Sequence, residues 1–415
     1  MSSGQDLSLR RLGAAPHRLL FCIGASNLLL AMLWWALWLA AQRWPLLTMP
    51  QPALHPGWLH AYVMQYQMLP SFIFGFLLTV FPRWMNLPEL PRWRYLPVGL
   101  GLFGGQIVTL LGALGWETGF LAGWLMTTAG WIAALGTLGP LLWRENGATW
   151  HARSCFAALT LGLVGLLAQG VYLLGAPPAW VLASITLGTF GLLLPVYLTV
   201  AHRMFPFFAG SAVLGYTPWR PFWLLVLFWM LCLAHVAIDL MHGLRWLWVI
   251  DLPLFALAAM VCWRWWPGSS SNRSAQTPER QPALLTLLFI GLGWLPVAFA
   301  LYSVQSLAYL LASEIWLGRA PAHALFIGFF GSVLIAMVTR VTQGHSGNRL
   351  VLPPVAGFAF AAIQIVTLMR IGAELAPDAA KWQALGALAW LVALGPWVVW
   401  LGRTFLSARV DGKAG

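Results

Sequence analysis

Charge is what this sequence has least of. Only 8% of its 415 residues are Asp, Glu, Lys or Arg, and just 11 are acidic. Soluble domains carry about a quarter charged residues, so this chain cannot coat a water-soluble particle, and soluble enzyme and binding-domain classes are excluded. Cysteine is also scarce: Cys22, Cys155, Cys232 and Cys262 lie singly in apolar stretches with no C-x-x-C pair. That excludes a disulfide framework, a structural zinc site and covalent haem attachment through C-x-x-C-H, and the four read as small buried hydrophobes. A cleavable signal peptide is missing too. The first apolar run, near 19–41, is too long and no small-residue cleavage site follows it, so it reads as the first membrane helix.

Apolar and aromatic residues are plentiful. The chain is 60% hydrophobic with mean hydropathy +0.77, and its 27 Trp suit belts at two membrane surfaces. A bilayer core takes about 20 apolar residues as helix. Suitable segments fall near 19–41, 58–81, 95–115, 118–143, 154–175, 178–201, 219–239, 244–266, 283–312, 321–342, 352–375 and 382–403. The expected fold is all-α: a polytopic transmembrane helical bundle of about twelve helices, a single transmembrane domain over residues 1–415. The divisions at Gly115–Thr118 and Gly175–Pro178 are the tightest. The stretch 267–282, rich in Ser, Arg, Gln and Pro, reads as a flexible cytoplasmic loop. No internal repeat is evident.

The loops orient the chain. With a cytoplasmic N-terminus, 18 of the 23 basic residues fall on the inner side and five on the outer, a positive-inside bias with both termini in the cytoplasm. This accounts for the net charge of +12. Nucleic-acid binding needs basic groups gathered on one face, whereas these are spread over short loops, so no nucleic-acid partner is expected; the bilayer is the partner.

Ionisable groups inside a membrane are costly and are functional candidates. The same topology puts His55, His60, His235, His242 and His323 toward the outer surface and His17, His151, His202 and His345 toward the cytoplasm. His17, His55, His151 and His242 read as solvated loop residues. On the second helix His60, Met64, Gln67 and Ser71 share a face that turns into the bundle. Imidazole is a ligand for haem iron and copper, and thioether sulfur suits Cu(I); the alternative is that His60 bonds a neighbouring helix and Met64 only packs. The tenth helix starts at Pro321 and His323, passes Gly328 and Gly331, which permit close approach of a helix or a flat ligand, and leads to Arg340 and His345. A helical rise of about 1.5 Å per residue separates His323 from His345 by roughly 30 Å, so they cannot share a metal. His60 and His323 can form an outer pair, and His202 and His345 an inner pair; His345 also reads as a turn residue beside glycine. Arg370 and Glu374, at i, i+4, read as a salt bridge. Asp239, His235 and His242 can line one helix face.

Three stretches together resemble the NnrS family of bacterial membrane proteins: HAYVMQYQMLPSFIFGFLLTVFPRW (60–84), RMFPFF (203–208) and HALFIGFFGSVLIAMVTRVTQGHSG (323–347). The first follows a family pattern of W-H-A-H-E-M, then G-F-L-L-T-A and P-x-W; Gly75 to Thr79, Pro82 and Trp84 match. The third follows H-A-L-x-x-G, M-x-x-R and G-H-T-G, with Ser346 in the Thr place. The resemblance spans helices two to ten and implies a haem- and copper-associated protein of the inner (cytoplasmic) membrane, linked to nitric oxide response and denitrification. Carried over by position, His60, His323 and His345 match motif histidines, whereas the second histidine, the glutamate and the leading Trp are replaced by Tyr62, Val63 and Leu59. A metal site needing both histidines and the carboxylate would lack ligands here.

The leading expectation is therefore a haem-binding, copper-associated membrane protein handling nitric oxide or its metal adducts, with His60 and His323 as axial ligands of a b-type haem and His345 and His202 as further metal ligands. If the chain is catalytic, its chemistry is metal-dependent oxidoreduction of nitric oxide, with an electron donor as partner. The alternatives are a secondary transporter of a small molecule and a non-catalytic membrane subunit of a respiratory or denitrification complex.

Overall fold

Apolar runs longer than a bilayer is thick leave the backbone no partner but itself, and helices satisfy every N–H and C=O internally. The computed structural model describes residues 7–44, 48–145, 147, 149–268 and 282–411. Twelve of its helices are long and apolar enough to cross a membrane: α1 (Pro16–Arg43), α2 (Pro56–Trp84), α3 (Arg92–Ala113), α4 (Thr118–Arg144), α5 (Trp150–Leu173), α6 (Ala179–Ala212), α7 (Phe222–Leu240), α8 (Trp248–Trp265), α9 (Ala283–Ala312), α10 (Ala320–His345), α11 (Pro354–Ala373) and α12 (Ala379–Leu406). No β-strand occurs among the described residues. The chain is an all-helical, multi-pass membrane protein, and every expected span has its helix. The largest boundary difference is at α6, which runs eleven residues past the expected 201 to Ala212, because His202, Arg203 and Pro206 lower the hydropathy without breaking the helix. Most of the expected flexible loop, residues 269–281, lies outside the described residues.

The chain divides into two units. One comprises Met1–Leu193, Thr342–Arg349 and Leu394–Gly415; the other comprises Leu194–Val341 and Leu350–Ala393. In the first, α3 and α4 pack backbone to backbone: a Cβ on Gly101 would lie 2.5 Å from the Cα of Gly130, and one on Gly123 would lie 2.7 Å from the carbonyl of Gly105. Small residues let membrane helices approach closely where no hydrophobic effect drives them together. In the second, α8 and α9 run side by side, and Trp265 donates its indole N–H to the carbonyl of Trp219 at 2.8 Å.

Helices α2, α6 and α10 stand apart from the others. They are the most enclosed, with 83%, 72% and 67% of their apolar windows buried, against 56% or less elsewhere. Each also contains a π-helical segment: Val63–Met68, Leu187–Leu193 and Ala324–Gly331. A π turn carries an extra residue, re-aims the side chains around it, and occurs frequently at functional sites. A regular spacing thus exists, one such helix in every four, although no sequence repeat marks it.

Candidate functional site

Helix α2 is enclosed all round and not only along the one face expected: every residue from Tyr62 to Phe74 is buried, across the π segment Val63–Met68. Met64, Gln67 and Ser71 are buried, and His60 is half-buried, its ring stacked on Trp35 of α1 with centroids 4.5 Å apart and planes within 13°. Trp38 continues the stack at 5.4 Å. Tyr62, at the place of the motif's second histidine, is buried and lies 3.4 Å from Nε2 of Gln67. That nitrogen donates to the hydroxyls of Thr109 and Thr127, at 3.0 and 2.9 Å. Tyr62 therefore belongs to a hydrogen-bonded layer joining α2, α3 and α4. Inside the π segment the carbonyl of Tyr66 accepts the indole N–H of Trp131 at 2.9 Å, and Gln65 donates to Thr189 of α6 at 2.8 Å. Irregular backbone within a membrane helix is tolerable when neighbouring side chains satisfy it in this way.

His323 begins the turn that runs into the π segment of α10. Its Nδ1 donates to the carbonyl of Arg319 at 2.9 Å, which makes Nε2 the acceptor, and Arg370 NH2 lies 3.2 Å from that Nε2. Arg370 also pairs with Glu374 at 3.2 Å, both side chains nearly buried, as the i, i+4 spacing indicates. Gly328 serves helix packing: a Cβ there would lie 2.7 Å from the Trp294 indole. Trp294 in turn donates to Gln364, and Gln364 to Ser332, at 2.6 and 2.8 Å. His60 belongs to the first unit and His323 to the second.

The inner histidines depart further from expectation. His202 is buried, with Nε2 3.1 Å from the carbonyl of Pro221. It lies in the second unit, whereas His345 lies in the first. There the ring of His345 packs on His17, centroids 4.2 Å apart and planes tilted by 40°. His17 is no solvated loop residue. Pro16 starts α1, so His17 sits in the first turn of the helix, 3% exposed, and its Nδ1 has no hydrogen-bond partner. His151 is likewise buried, since α5 begins four residues earlier than expected; His55 and His242 are exposed as expected.

Arginines surround the His17–His345 pair, each with an acceptor of its own. Arg18 donates to the carbonyl of Ser407 at 2.8 Å, Arg83 pairs with Glu89 at 3.3 Å, and Arg409 pairs with Asp411 at 2.7 Å. The hydrogen bond to Asp411 raises the Arg409 pKa, so that side chain stays charged. The G-H-S-G run is a helix terminus. Gly347 has φ +73°, and Asn348 N–H bonds back to the carbonyl of Gln343 at 3.0 Å, the six-to-one bond of a Schellman cap. The carbonyl of Ser346 accepts the N–H of Val410, tying this terminus to the C-terminal segment.

A further buried pair was only half legible. His235 donates from Nδ1 to Asp251 of α8 at 2.9 Å, a partner on another helix, while His242 leaves the helix in a left-handed conformation, φ +56°. Sequence spacing finds partners on one helix and misses those on the next. Among the described residues no three His, Cys, Asp or Glu side chains converge to hold a metal ion, so the protein ligand sets to consider are single residues and pairs. None of the four cysteines forms a disulfide.

A family model described as NnrS protein matches residues 11–409. No curated protein matches the chain.

Proposed function

The chain belongs to the NnrS family, and from that premise we propose that it is a haem-binding protein of the bacterial inner membrane that handles nitric oxide or its metal adducts, with His60 in the first unit and His323 in the second each proposed as a haem ligand. One observation carries the choice of residues. Both motif histidines stand on the turn that leads into a π segment, in two of the three most enclosed helices. His323 also has the tautomer a ligand needs, since metal-bound histidines characteristically donate their other N–H to a carbonyl or carboxylate, and its Nδ1 donates to Arg319.

When bound, the haem iron supplies nitric oxide binding and one-electron redox chemistry. The protein's part is orientation and exclusion of water. Trp35 backs the His60 ring, the Arg319 carbonyl holds the His323 ring, and Arg370 can exchange its contact with Nε2 for its partner Glu374. With no C-x-x-C-H in the sequence, the haem is of b type and not covalently attached.

Absorption spectra of protein purified from haem-replete cells test the reading. A Soret band and, on reduction, the α and β bands of a six-coordinate haem are expected. His60→Ala and His323→Ala each abolish or shift them, and His345→Ala leaves them in place. Colourless protein that takes up no added haem refutes the proposal, and bands lost only in His345→Ala move the site.

A second reading, a secondary transporter, draws on the buried His235–Asp251 pair, because intramembrane ionisable pairs mark ion and proton pathways. Proton-coupled uptake into proteoliposomes, abolished by Asp251→Asn, would favour it.

A further inference from the structure

Helices α7, α8 and α9 pack together in the second unit and bury a titratable pair close to the α7–α8 turn. His235 Nδ1 donates to Oδ1 of Asp251 at 2.9 Å, and the Tyr302 ring meets the imidazole edge-on, centroids 5.9 Å apart and planes at 82°. Oδ2 of Asp251 is buried with no partner, and among the described residues no arginine or lysine pairs with this carboxyl group.

Net charge decides how many protons such a pair holds. Neutral His235 beside ionised Asp251 leaves a full negative charge away from water, and a buried charge without compensation is strongly unfavourable. One more proton makes the site neutral, as carboxylic acid beside imidazole or as carboxylate beside imidazolium. An ion pair repays its desolvation only when further hydrogen bonds satisfy the carboxylate. Oδ2 has none, so the acid form is the favoured one.

We propose that Asp251, held by His235, is a one-proton binding site inside the bundle, loaded from the membrane face at which α7 and α8 are joined. Loading forms one O–H bond at Oδ2 with a proton from bulk water, and unloading returns it. The way in is short. Asp251 lies three residues into α8, about 4.5 Å of helix. Asp239, four residues beyond His235 toward the same turn, is half-buried, and His242 in the turn is exposed. Chains of Asp, Glu and His relay protons in membrane proteins. Trp248 Nε1 and Gln305 Oε1 are also buried without partners, on residues brought together by the bond from Trp248 N–H to Ser306 Oγ at 2.9 Å. An unpaired donor and an unpaired acceptor suit an ordered water. Cys232 and Asp239 on α7 and Tyr302 on α9 are the other titratable groups that face the pair, and Arg245 in the turn is exposed.

The division of basic residues puts that turn on the outer side, so the proton comes from there. The site supplies the coupling ion that the transporter reading needs, and it is loaded whether or not a substrate moves. It asks nothing of haem at His60 or His323.

The test is infrared difference spectroscopy of the full-length protein in detergent across a pH titration, in water and in heavy water. The expected result is a protonated-carboxyl C=O band at neutral pH that moves down in heavy water and is lost in Asp251→Asn. His235→Asn should keep the band and shift it, because Oδ1 loses its donor. Asp251→Glu, which keeps the acid and moves it, should shift the band and serves if Asp251→Asn fails to fold. Asp239→Asn should slow exchange of the band into heavy water several-fold. Wild-type protein without the band at neutral pH, or a band unchanged in Asp251→Asn and in Asp251→Glu, would overturn the site. Exchange as fast in Asp239→Asn as in wild type would overturn the loading route. A band present in protein that shows no proton-coupled uptake in proteoliposomes supports the proton site and counts against the transporter reading alone.

Discussion

The carboxylate of Asp251 accepts a hydrogen bond from Nδ1 of His235 at 2.9 Å, with 0% and 2% of the two side chains exposed. The other carboxylate oxygen, Oδ2, has no partner. Removing one member of such a pair strands its partner's polar group away from water, which costs about 3–5 kcal/mol. His235→Ala and Asp251→Ala should therefore each lower stability by that order, while His235→Leu with Asp251→Leu should recover most of it. Thermal unfolding in detergent measures this; single variants as stable as wild type would show the pair to be dispensable.

Gly347 is required by its backbone. At φ +73° a side chain is strained, and a Cβ would lie 2.8 Å from the Asp411 carboxyl carbon. Gly347→Ala should destabilise by about 1–2 kcal/mol, the cost of a left-handed conformation for a residue with a Cβ. Gly136→Ala is the control, because nothing lies within 4 Å of a Cβ there. The melting temperature should fall in the first variant and hold in the second.

Arg340, from the M-x-x-R motif, lays its guanidinium 4.1 Å over the ring of Phe208, from the R-x-x-P-F-F motif. A desolvated contact of this kind contributes about 1–2 kcal/mol. Phe208→Leu and Arg340→Met should be non-additive by about that amount in a double-mutant cycle of thermal unfolding. Strict additivity would mean that the two motifs act separately.

Topology is open to direct measurement. The division of basic residues puts the α5–α6 turn outside and the α6–α7 turn inside. Leu174 and Leu214, one in each turn, are both exposed. In a cysteine-free background Leu174→Cys should react with an impermeant thiol reagent from the outer side of the membrane, and Leu214→Cys only from the inner side. Equal labelling from one side would reverse the orientation or merge two spans.

The polar residues His60, Gln67 and Ser71 that single out α2 were legible in sequence, but the face assigned to them was not, because the π segment Val63–Met68 breaks the ordinary helical spacing and the whole stretch is buried. The π segments were not, since Val63–Met68 and Ala324–Gly331 have no composition that separates them from ordinary helix. His17 looked like a loop residue because it precedes the apolar run by two positions. A proline at the first helical position was the available signal that the helix begins before the hydrophobic stretch does.

Sequence by itself determined the medium, the number of spans and the charge bias, because each depends on the composition of a contiguous run of residues measured against a fixed bilayer thickness. It also carried the family motifs, and with them His60, His323 and His345. Only the tertiary structure decided which polar groups meet. His345 meets His17, His235 meets Asp251, and Tyr62 joins Gln67, Thr109 and Thr127. Each of these pairings bridges separate helices or engages a neighbouring one, and which helices neighbour one another is set by packing, by glycines such as Gly101 and Gly123 that let backbones close up. A single helix's periodicity does not record its neighbour.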